Sequence, residues 1–343
     1  MPKLFRQIRK LPTRDGVSPS CVALPSGPWP TVLDFLVQRL PAVGREDWLR
    51  RMAGGEVVDG DGRPVGASDP YRPQGRVFYY RALADEPELP FEAEVLFQDA
   101  HLVVADKPHF MPVVPTGPYL QRSLLVRLKR RLGIDTLAPL HRIDRDTAGL
   151  VLFSVDPLQR GAYQTLFGER AVEKEYEAVA PWRAALERPA VHRMRMEPAE
   201  EFFRERAVPG VPNTETRIEM LERSGDLARY RLRPVTGRKH QLRVHLAALG
   251  APILHDAFYP VVDDPPPGDF SRPLQLLARA VAFADPITGE ARCFESRRRL
   301  AAWPPASRAA ADAVRFAAAP VAAVPNPPRF PPPFPDARPS DAA

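Results

Sequence analysis

The stretch LHRIDRDTAGLVLF, residues 140–153, places an acidic residue among basic ones directly before an apolar run. Asp144 lies between Arg142 and Arg145, and His141 precedes all three. Nearby guanidinium groups favour the ionised form of an aspartate, so we expect Asp144 to be a carboxylate at neutral pH. It could act as a nucleophile or base, or it could belong to a structural ion-pair cluster that fixes a loop before a buried strand.

The apolar run in this stretch is one of several predicted β-strands in the middle of the chain. EVLFQDAHLVVADKP has the pattern of two strands joined by a turn, and further strands are predicted at GLVLFSV, KEYEAVA, TETRIEML and LARYRLRPV. SLLVRLKRRLG has the spacing of a helix that ends at Gly133. Because no βαβ rhythm repeats, the sequence predicts an α+β fold with a mixed, mostly antiparallel central sheet and flanking helices and loops.

The 343 residues provide enough chain for one large domain and a smaller module. Two helices and a hairpin are predicted between about Pro30 and Val65, and proline and alanine dominate the last forty residues. The predicted organisation is a flexible N-terminal arm over residues 1–28, a small α/β RNA-binding-like module over 29–88, a catalytic domain over 89–303, and a disordered tail over 304–343.

The formal net charge of +6 indicates a polyanionic partner, of which nucleic acid is the first expectation. Cys21 and Cys293 lie far apart and have no metal-ligand spacing, so neither a disulfide framework nor a zinc site is predicted. No apolar stretch approaches the roughly 18 residues of a membrane span. We therefore expect a cytoplasmic protein without a membrane partner.

A second basic cluster lies in PVTGRKHQLRVHLAALGAPILHD, residues 234–256. The leucines of this stretch have helical spacing, and Gly250 is placed to end the helix. The start of the helix presents Arg238, Lys239, His240, Gln241 and Arg243. Because the N-terminus of a helix attracts anions, basic residues there predict an anion site.

A metal site is not predicted in this cluster. His240 and His245 are five residues apart, which separates them by about 140° around a helix and places them on opposite faces of a strand. Neither arrangement suits two ligands of one ion. No other metal-binding motif is present.

Together, the two stretches resemble motifs of the RluA family of RNA pseudouridine synthases. HRIDRDTAGLVLFS is similar to H-R-L-D-R-x-T-S-G-L, and PVTGRKHQLRVHLAALGAPILHDAFY is similar to T-G-R-x-H-Q-I-R-x-H-L-A-x-x-G-x-P-I-x-G-D-x-x-Y. EKEYEAVA resembles the family's K-x-Y-x-A segment, and VLFQDAHLVVADKP resembles its opening pair of strands. The resemblance runs from about residue 93 to 290 in the family's order.

The resemblance implies the pseudouridine synthase fold and an isomerase that detaches uracil from its ribose, rotates it and rejoins it through carbon 5. The reaction would need neither cofactor nor metal. The implied partner is RNA, either large-subunit ribosomal RNA or transfer RNA or both, and we expect the enzyme to be a monomer. The N-terminal module is similar to a small RNA-binding module found ahead of this domain.

The resemblance also implies roles for individual residues. Asp144 would be the catalytic carboxylate, Tyr176 would stack on the isomerising base, and Arg243 would pair with Asp144. Leu242 would pack against the base, and Arg142 would help to fill the space left by a flipped-out uridine. The other residues implied to contact the substrate are His141, Arg145, Thr147, Arg238, His240 and Gln241.

This sequence departs from the family motifs at four places. The S-G-L of the family is Ala148-Gly149-Leu150, its G-D is His255-Asp256, its L-H-A is Leu276-Leu277-Ala278, and the glycine after K-P-x is Phe110. None of these changes falls on the implied catalytic residues, but together they suggest a divergent subgroup.

Two other functions were compatible with parts of the sequence. A catalytically silent RNA-binding protein would keep the fold but would be expected to lose Asp144, Tyr176 or Arg243, all of which are present. A metal-dependent nuclease that uses Asp144 and Asp146 would need further acidic ligands at a suitable spacing, and the sequence has none.

Overall fold

The structure, a computed structural model, describes residues 11–81, 86–263 and 265–303. The predicted tail over residues 304–343 lies outside the described residues, as do the first ten residues of the predicted arm. None of the helices in the described ranges is long and apolar enough to cross a membrane.

A three-stranded antiparallel sheet and two helices form the N-terminal part of the described chain. Its elements are β1 (Ser20–Ala23), α1 (Val32–Arg39), α2 (Arg45–Ala53), β2 (Val57–Asp59) and β3 (Arg76–Tyr79). β3 lies between β1 and β2. The two predicted helices are confirmed, and Trp48 of α2 is fully buried between them and the sheet.

Two details of this part differ from the sequence-based expectation. β1 lies inside the segment interpreted as a flexible arm, and its four residues pair with β3. The predicted hairpin over residues 55–65 is reduced to one bridge between Val58 and Pro64, which the N–H groups of Asp59 and Val65 close by donating to the carbonyl oxygens of Arg63 and Val57. β2 takes β3 as its neighbour instead.

The rest of the described chain builds an eleven-stranded sheet with three helices and a short 3-10 turn at Ala184–Leu186. The elements are β4 (Glu94–Gln98), β5 (Leu102–Lys107), α3 (Leu124–Leu132), β6 (Ala138–Pro139), β7 (Ala148–Ser154), α4 (Arg160–Gly168), β8 (Glu173–Pro181), β9 (Ala190–Pro198), β10 (Glu205–Val208), β11 (Thr214–Ser224), β12 (Leu227–Pro234), α5 (Gln241–Ala248), β13 (Leu276–Ala284) and β14 (Ala291–Glu295).

The strand order is β10-β9-β11-β12-β8-β13-β7-β5-β4, with β14 beside β13 and β6 beside β7. Every described pairing in this sheet is antiparallel except that of β7 with β13. The predicted α+β class and the mostly antiparallel sheet are therefore confirmed.

The parallel contact between β7 and β13 depends on a glycine. Gly149 of β7 pairs with Ala278 of β13 and has a φ of +110°. A Cβ atom at this position would lie 2.2 Å from the carbonyl oxygen of Ala278, which no side chain can accommodate. Ala278 in turn pairs with Tyr176 of β8. Gly149 thus allows the start of β7 to lie close to β13, the strand that lies between β7 and β8.

Helix α5 covers one face of β8 and β12. Tyr230 and Leu232 of β12 share a core cluster with Leu242 and Leu246 of α5. Tyr176 packs against the same cluster. Because side chains alternate along a strand, this register places Tyr176 on the face of the sheet that α5 covers.

Candidate active site

The loop that carries Asp144 joins β6 to β7 and is held by a buried lysine. Lys107, at the end of β5, donates hydrogen bonds to the carbonyl oxygens of Pro108, Met111 and Arg145 at 2.9, 2.8 and 2.9 Å. The side chain is fully buried. Burial lowers the pKa of Lys107 to about 7, although the charges of Asp146 and Asp144 oppose this shift.

The carboxylate of Asp144 has positive and polar partners on one of its two oxygens. Nη1 of Arg243 lies 3.3 Å from Oδ2, and Nε2 of His240 lies 3.8 Å from the same atom. No partner of Oδ1 is found among the described residues, and the side chain is 25% exposed. The loop itself is closed by a hydrogen bond from the Thr147 N–H to the Asp144 carbonyl oxygen. Asp144 therefore presents one free oxygen next to a fixed cation.

Arg243 is fixed by a second carboxylate. Its Nε and Nη2 donate to Oδ2 and Oδ1 of Asp256 at 2.8 and 2.7 Å, and both side chains are almost completely buried. Burial acts to lower the pKa of Arg243, but the hydrogen bonds and charge of Asp256, together with the charge of Asp144, outweigh it and raise the pKa above its usual value. Asp256 accepts further hydrogen bonds from the backbone N–H groups of Phe258 and Tyr259.

Tyr176 and Leu242 bring an aromatic and an aliphatic side chain to the site. Both belong to the core cluster between β8, β12 and α5, where Leu242 is buried and Tyr176 is partly buried. Burial, and then the negative charge of Asp144, raise the pKa of Tyr176 above its usual value. The phenol is therefore neutral at physiological pH, and the charge of Asp144 acts on it.

The turn before α5 is held by Gln241. The side-chain oxygen of Gln241 accepts hydrogen bonds from the Thr236 hydroxyl and the Arg238 N–H. Its side-chain nitrogen donates to the Glu215 carbonyl oxygen and the Thr216 hydroxyl. Because all of these partners lie within the protein, the contacts of Gln241 favour a role in fixing the loop. The neighbouring Arg238 is exposed.

The remaining predicted substrate contacts differ in their surroundings. His141 accepts the Leu152 N–H on Nε2 and stacks on Phe167 at a centroid distance of 4.9 Å, so its contacts support strand β7. Arg145 donates to Asp146, and its side chain is 41% exposed. Arg142 is exposed. The structure thus brings His240 and Arg243 close to Asp144, packs Tyr176 and Leu242 in one core cluster, and leaves Arg142 and Arg238 exposed.

Three residues of the site were not assigned roles from the sequence: Lys107, Asp256 and Tyr259. A buried arginine needs a carboxylate partner, but nothing in the local pattern indicates that Asp256 pairs with Arg243. Lys107 ends an apolar run, which is the one local signal that its ammonium group could be buried. Within the described ranges, no group of three or more His, Cys, Asp or Glu residues is arranged to hold a metal ion.

Comparisons with known proteins agree with this fold. A family model described as RNA pseudouridylate synthase matches residues 101–248. An uncharacterized RNA pseudouridine synthase of Synechocystis is 31% identical over 231 residues, which are 66% of this chain and 79% of that protein. The dual-specificity RNA pseudouridine synthase RluA of Pasteurella multocida is 34% identical over 206 residues, 57% of this chain and 89% of that protein.

A solved structure shows the same fold. The structure of human RNA pseudouridylate synthase domain containing 1 has a TM-score of 0.51 and 22% identity, and the match covers 62% of this chain and 86% of that one. The family model and the relatives of similar sequence define the class of protein as isomerases that act on uridine in RNA.

The chain belongs to the RluA family of RNA pseudouridine synthases. It is an isomerase that converts uridine to pseudouridine in RNA, and the family assignment made from the four motifs is confirmed.

Proposed function

We propose that Asp144 is the catalytic carboxylate and that it acts on a uridine flipped out of structured RNA. The observation that carries this proposal is the asymmetric environment of Asp144. Oδ2 is engaged by Arg243, whereas Oδ1 has no partner among the described residues and the side chain is partly exposed. A carboxylate held in this way can present its free oxygen to the ribose or base of a bound nucleotide.

The base of the target nucleotide is proposed to lie between Tyr176 and Leu242. A uracil ring has an apolar face that stacks on aromatic side chains. Tyr176 is neutral and partly buried beside Asp144, and Leu242 belongs to the same cluster. A flipped base in this position would have its glycosidic bond close to the free oxygen of Asp144.

The RNA backbone is proposed to bind to exposed arginine side chains around the site. The guanidinium groups of Arg142 and Arg238 are exposed, and no ion pair engages them within the described part of the chain. Arg142 lies two residues before Asp144, where it could enter the space that the flipped uridine leaves. Guanidinium groups bind phosphate oxygens with two hydrogen bonds, so Arg238 in the turn before α5 suits a backbone phosphate.

The substrates are proposed to be large-subunit ribosomal RNA, transfer RNA or both. Relatives from three bacteria at about 30% identity are named dual-specificity RNA pseudouridine synthases, which supports activity on more than one RNA. Contacts from the proposed RNA-binding module over residues 29–88 would contribute to the choice between them.

Tritium release tests the proposal directly. Ribosomal and transfer RNAs transcribed in vitro with tritium at carbon 5 of uracil contain no prior modification, and formation of the new carbon–carbon bond releases the label into water. We expect release by the wild type and none by Asp144→Asn, with RNA binding retained because the substitution keeps the size of the side chain.

Asp226→Asn is the matched control. Asp226 is an exposed residue in the turn directly before β12, whereas α5 follows the other end of that strand. The control should release tritium at the wild-type rate. Turnover by Asp144→Asn would refute the catalytic role of Asp144, and binding of RNA without release by the wild type would favour a silent RNA-binding protein.

A further inference from the structure

His240 lies between the hydroxyl of Tyr259 and the carboxylate of Asp144. Its Nδ1 is 2.9 Å from the Tyr259 hydroxyl oxygen, and its Nε2 is 3.8 Å from Oδ2 of Asp144. His240 immediately precedes α5 and has a left-handed φ of 55°, which is unusual for a residue with a side chain. The ring is buried against Phe258 and Tyr259.

The hydrogen bonds of Tyr259 determine which nitrogen of His240 carries the hydrogen. The Glu205 N–H lies 2.8 Å from the Tyr259 hydroxyl, and an amide N–H can only donate. If Nδ1 of His240 also donated to this oxygen, the hydroxyl hydrogen would remain unpaired at a buried position, which is costly. The hydroxyl therefore donates to Nδ1. A neutral imidazole that accepts on Nδ1 carries its hydrogen on Nε2, the nitrogen that faces Asp144.

The imidazole is neutral at physiological pH. Burial lowers the pKa of His240 to about 4. Among its charged neighbours, Asp144 and Asp256 oppose this shift, whereas Arg243 and Lys239 reinforce it. The ring therefore offers Asp144 a neutral N–H donor in addition to the positive charge of Arg243.

We propose that Tyr259 is a positioning residue that fixes the Nε2–H tautomer of His240 and so directs a neutral N–H donor at Oδ2 of Asp144. The inference rests on the proposed catalytic role of Asp144. Nε2 of His240 lies 3.8 Å from Oδ2, which is beyond hydrogen-bond distance, whereas Arg243 donates to the same oxygen at 3.3 Å. Catalytic contacts of this length shorten when the substrate binds. Two donors on Oδ2 would then keep the carboxylate from rotating and Oδ1 directed at the nucleotide. A second cation at this place would bind the carboxylate more strongly and make it a weaker nucleophile or base, whereas a neutral donor orients it at a smaller cost in reactivity.

Two substitutions of His240 separate this role from a structural one. The side-chain nitrogen of His240→Gln can occupy the place of Nε2, whereas that of His240→Asn is too short and reaches only the place of Nδ1. Asparagine also tolerates a left-handed φ better than glutamine, so a loss of stability cannot explain a larger loss of activity in His240→Asn. We expect kcat to fall by about ten- to a hundredfold in His240→Asn, which is the range for losing a hydrogen bond to a charged group that shortens when the substrate binds, and by clearly less in His240→Gln. KM for RNA should stay unchanged in both.

Nitrogen NMR of histidine-labelled protein reads the tautomer itself. The His240 signals, assigned as those missing from the His240→Gln spectrum, should show hydrogen on Nε2 in the wild type and a mixture of tautomers in Tyr259→Phe. Tyr230→Phe is the matched control, because Tyr230 is also buried and its hydroxyl donates to the Pro181 carbonyl oxygen. It should keep the wild-type signals and rate.

Hydrogen on Nδ1 in the wild type, or equal activities of His240→Asn and His240→Gln, would overturn the inference. If Asp144→Asn is inactive in the same assay while both variants of His240 are fully active, only the role of His240 and Tyr259 is refuted. If Asp144→Asn turns over, the proposed function itself fails.

Discussion

Arg243 donates two parallel hydrogen bonds to Asp256, at 2.8 and 2.7 Å, and its remaining terminal nitrogen lies 3.3 Å from Asp144. The carboxylate of Asp256 thus orients the planar guanidinium, which points its remaining nitrogen at the carboxylate of Asp144. A lysine could supply the charge but not the two parallel hydrogen bonds that set its direction. The carboxylate of Asp256 therefore acts on Asp144 through Arg243.

Asp256→Asn should destabilise the fold and slow catalysis together. Removing one partner of a buried ion pair costs about 3–5 kcal/mol, because the remaining charge is left without compensation. The asparagine can still accept one hydrogen bond, so we expect a loss of about 3 kcal/mol in the free energy of unfolding, measured by urea titration. Asp226→Asn should leave the unfolding curve unchanged. Equal curves for both variants would show that Arg243 finds another partner.

Gly149→Ala should be among the most damaging small substitutions in this chain. The added Cβ would meet the Ala278 carbonyl oxygen at 2.2 Å, and the φ of +110° disfavours any side chain. Forcing β7 and β13 apart should cost more than about 3 kcal/mol or prevent folding. Gly161→Ala is the control, because nothing lies within 4 Å of its added Cβ in helix α4. It should be neutral or stabilise by about 0.5–1 kcal/mol, and similar unfolding midpoints for the two variants would contradict the expected clash.

Much of the fold was predictable from local patterns, and the failures have physical causes. β7 and β12 were predicted because one is a continuous apolar run and the other alternates strictly between its faces. β9 and β13 were missed. β9, AVHRMRMEP, alternates between methionine and long polar chains near the sheet edge, and β13, LLARAVAFA, has a composition that suits a helix as well as a strand.

The functional site, like the fold, was predictable only in part. Asp144, Tyr176 and Arg243 could be selected because each lies in a motif, and the structure places them close together. The partnership of Arg243 with Asp256 spans thirteen residues and that of His240 with Tyr259 nineteen. Such pairs depend on the path of the loop after α5, which no periodicity in the sequence describes.

His255→Gly should stabilise the protein. His255 stands where the family motif has glycine, and it has a left-handed φ of 62°. This conformation costs a residue with a side chain about 1–2 kcal/mol. Glycine removes that cost in the folded state, but its greater freedom in the unfolded chain cancels part of the stabilisation. We expect a net increase of about 0.5–1 kcal/mol in the free energy of unfolding with unchanged tritium release. His255→Ala, which keeps the strain, is the control, and an equal gain in both variants would point to the imidazole instead of the backbone.

Because Lys107 is buried, the free energy of unfolding should increase as the pH rises above about 7. Burial lowers its pKa from 10.5 to about 7 in the folded protein, so between these values the unfolded chain binds more protons than the folded one. Stability rises with pH wherever the unfolded state binds more protons. Below pH 7, burial of the charged ammonium therefore lowers the free energy of unfolding by its full amount. This loss becomes smaller as the pH increases towards 10.5.

The comparison with Lys107→Met isolates this contribution, since every other titrating group is shared. The free energy of unfolding of the wild type should increase relative to the variant by up to about 1.4 kcal/mol per pH unit across this window. Urea titrations at several pH values from 7 upwards measure the difference. Parallel pH profiles would mean that Lys107 keeps its proton, and that its three hydrogen bonds to backbone carbonyls fully offset the cost of burial in the loop that carries Asp144.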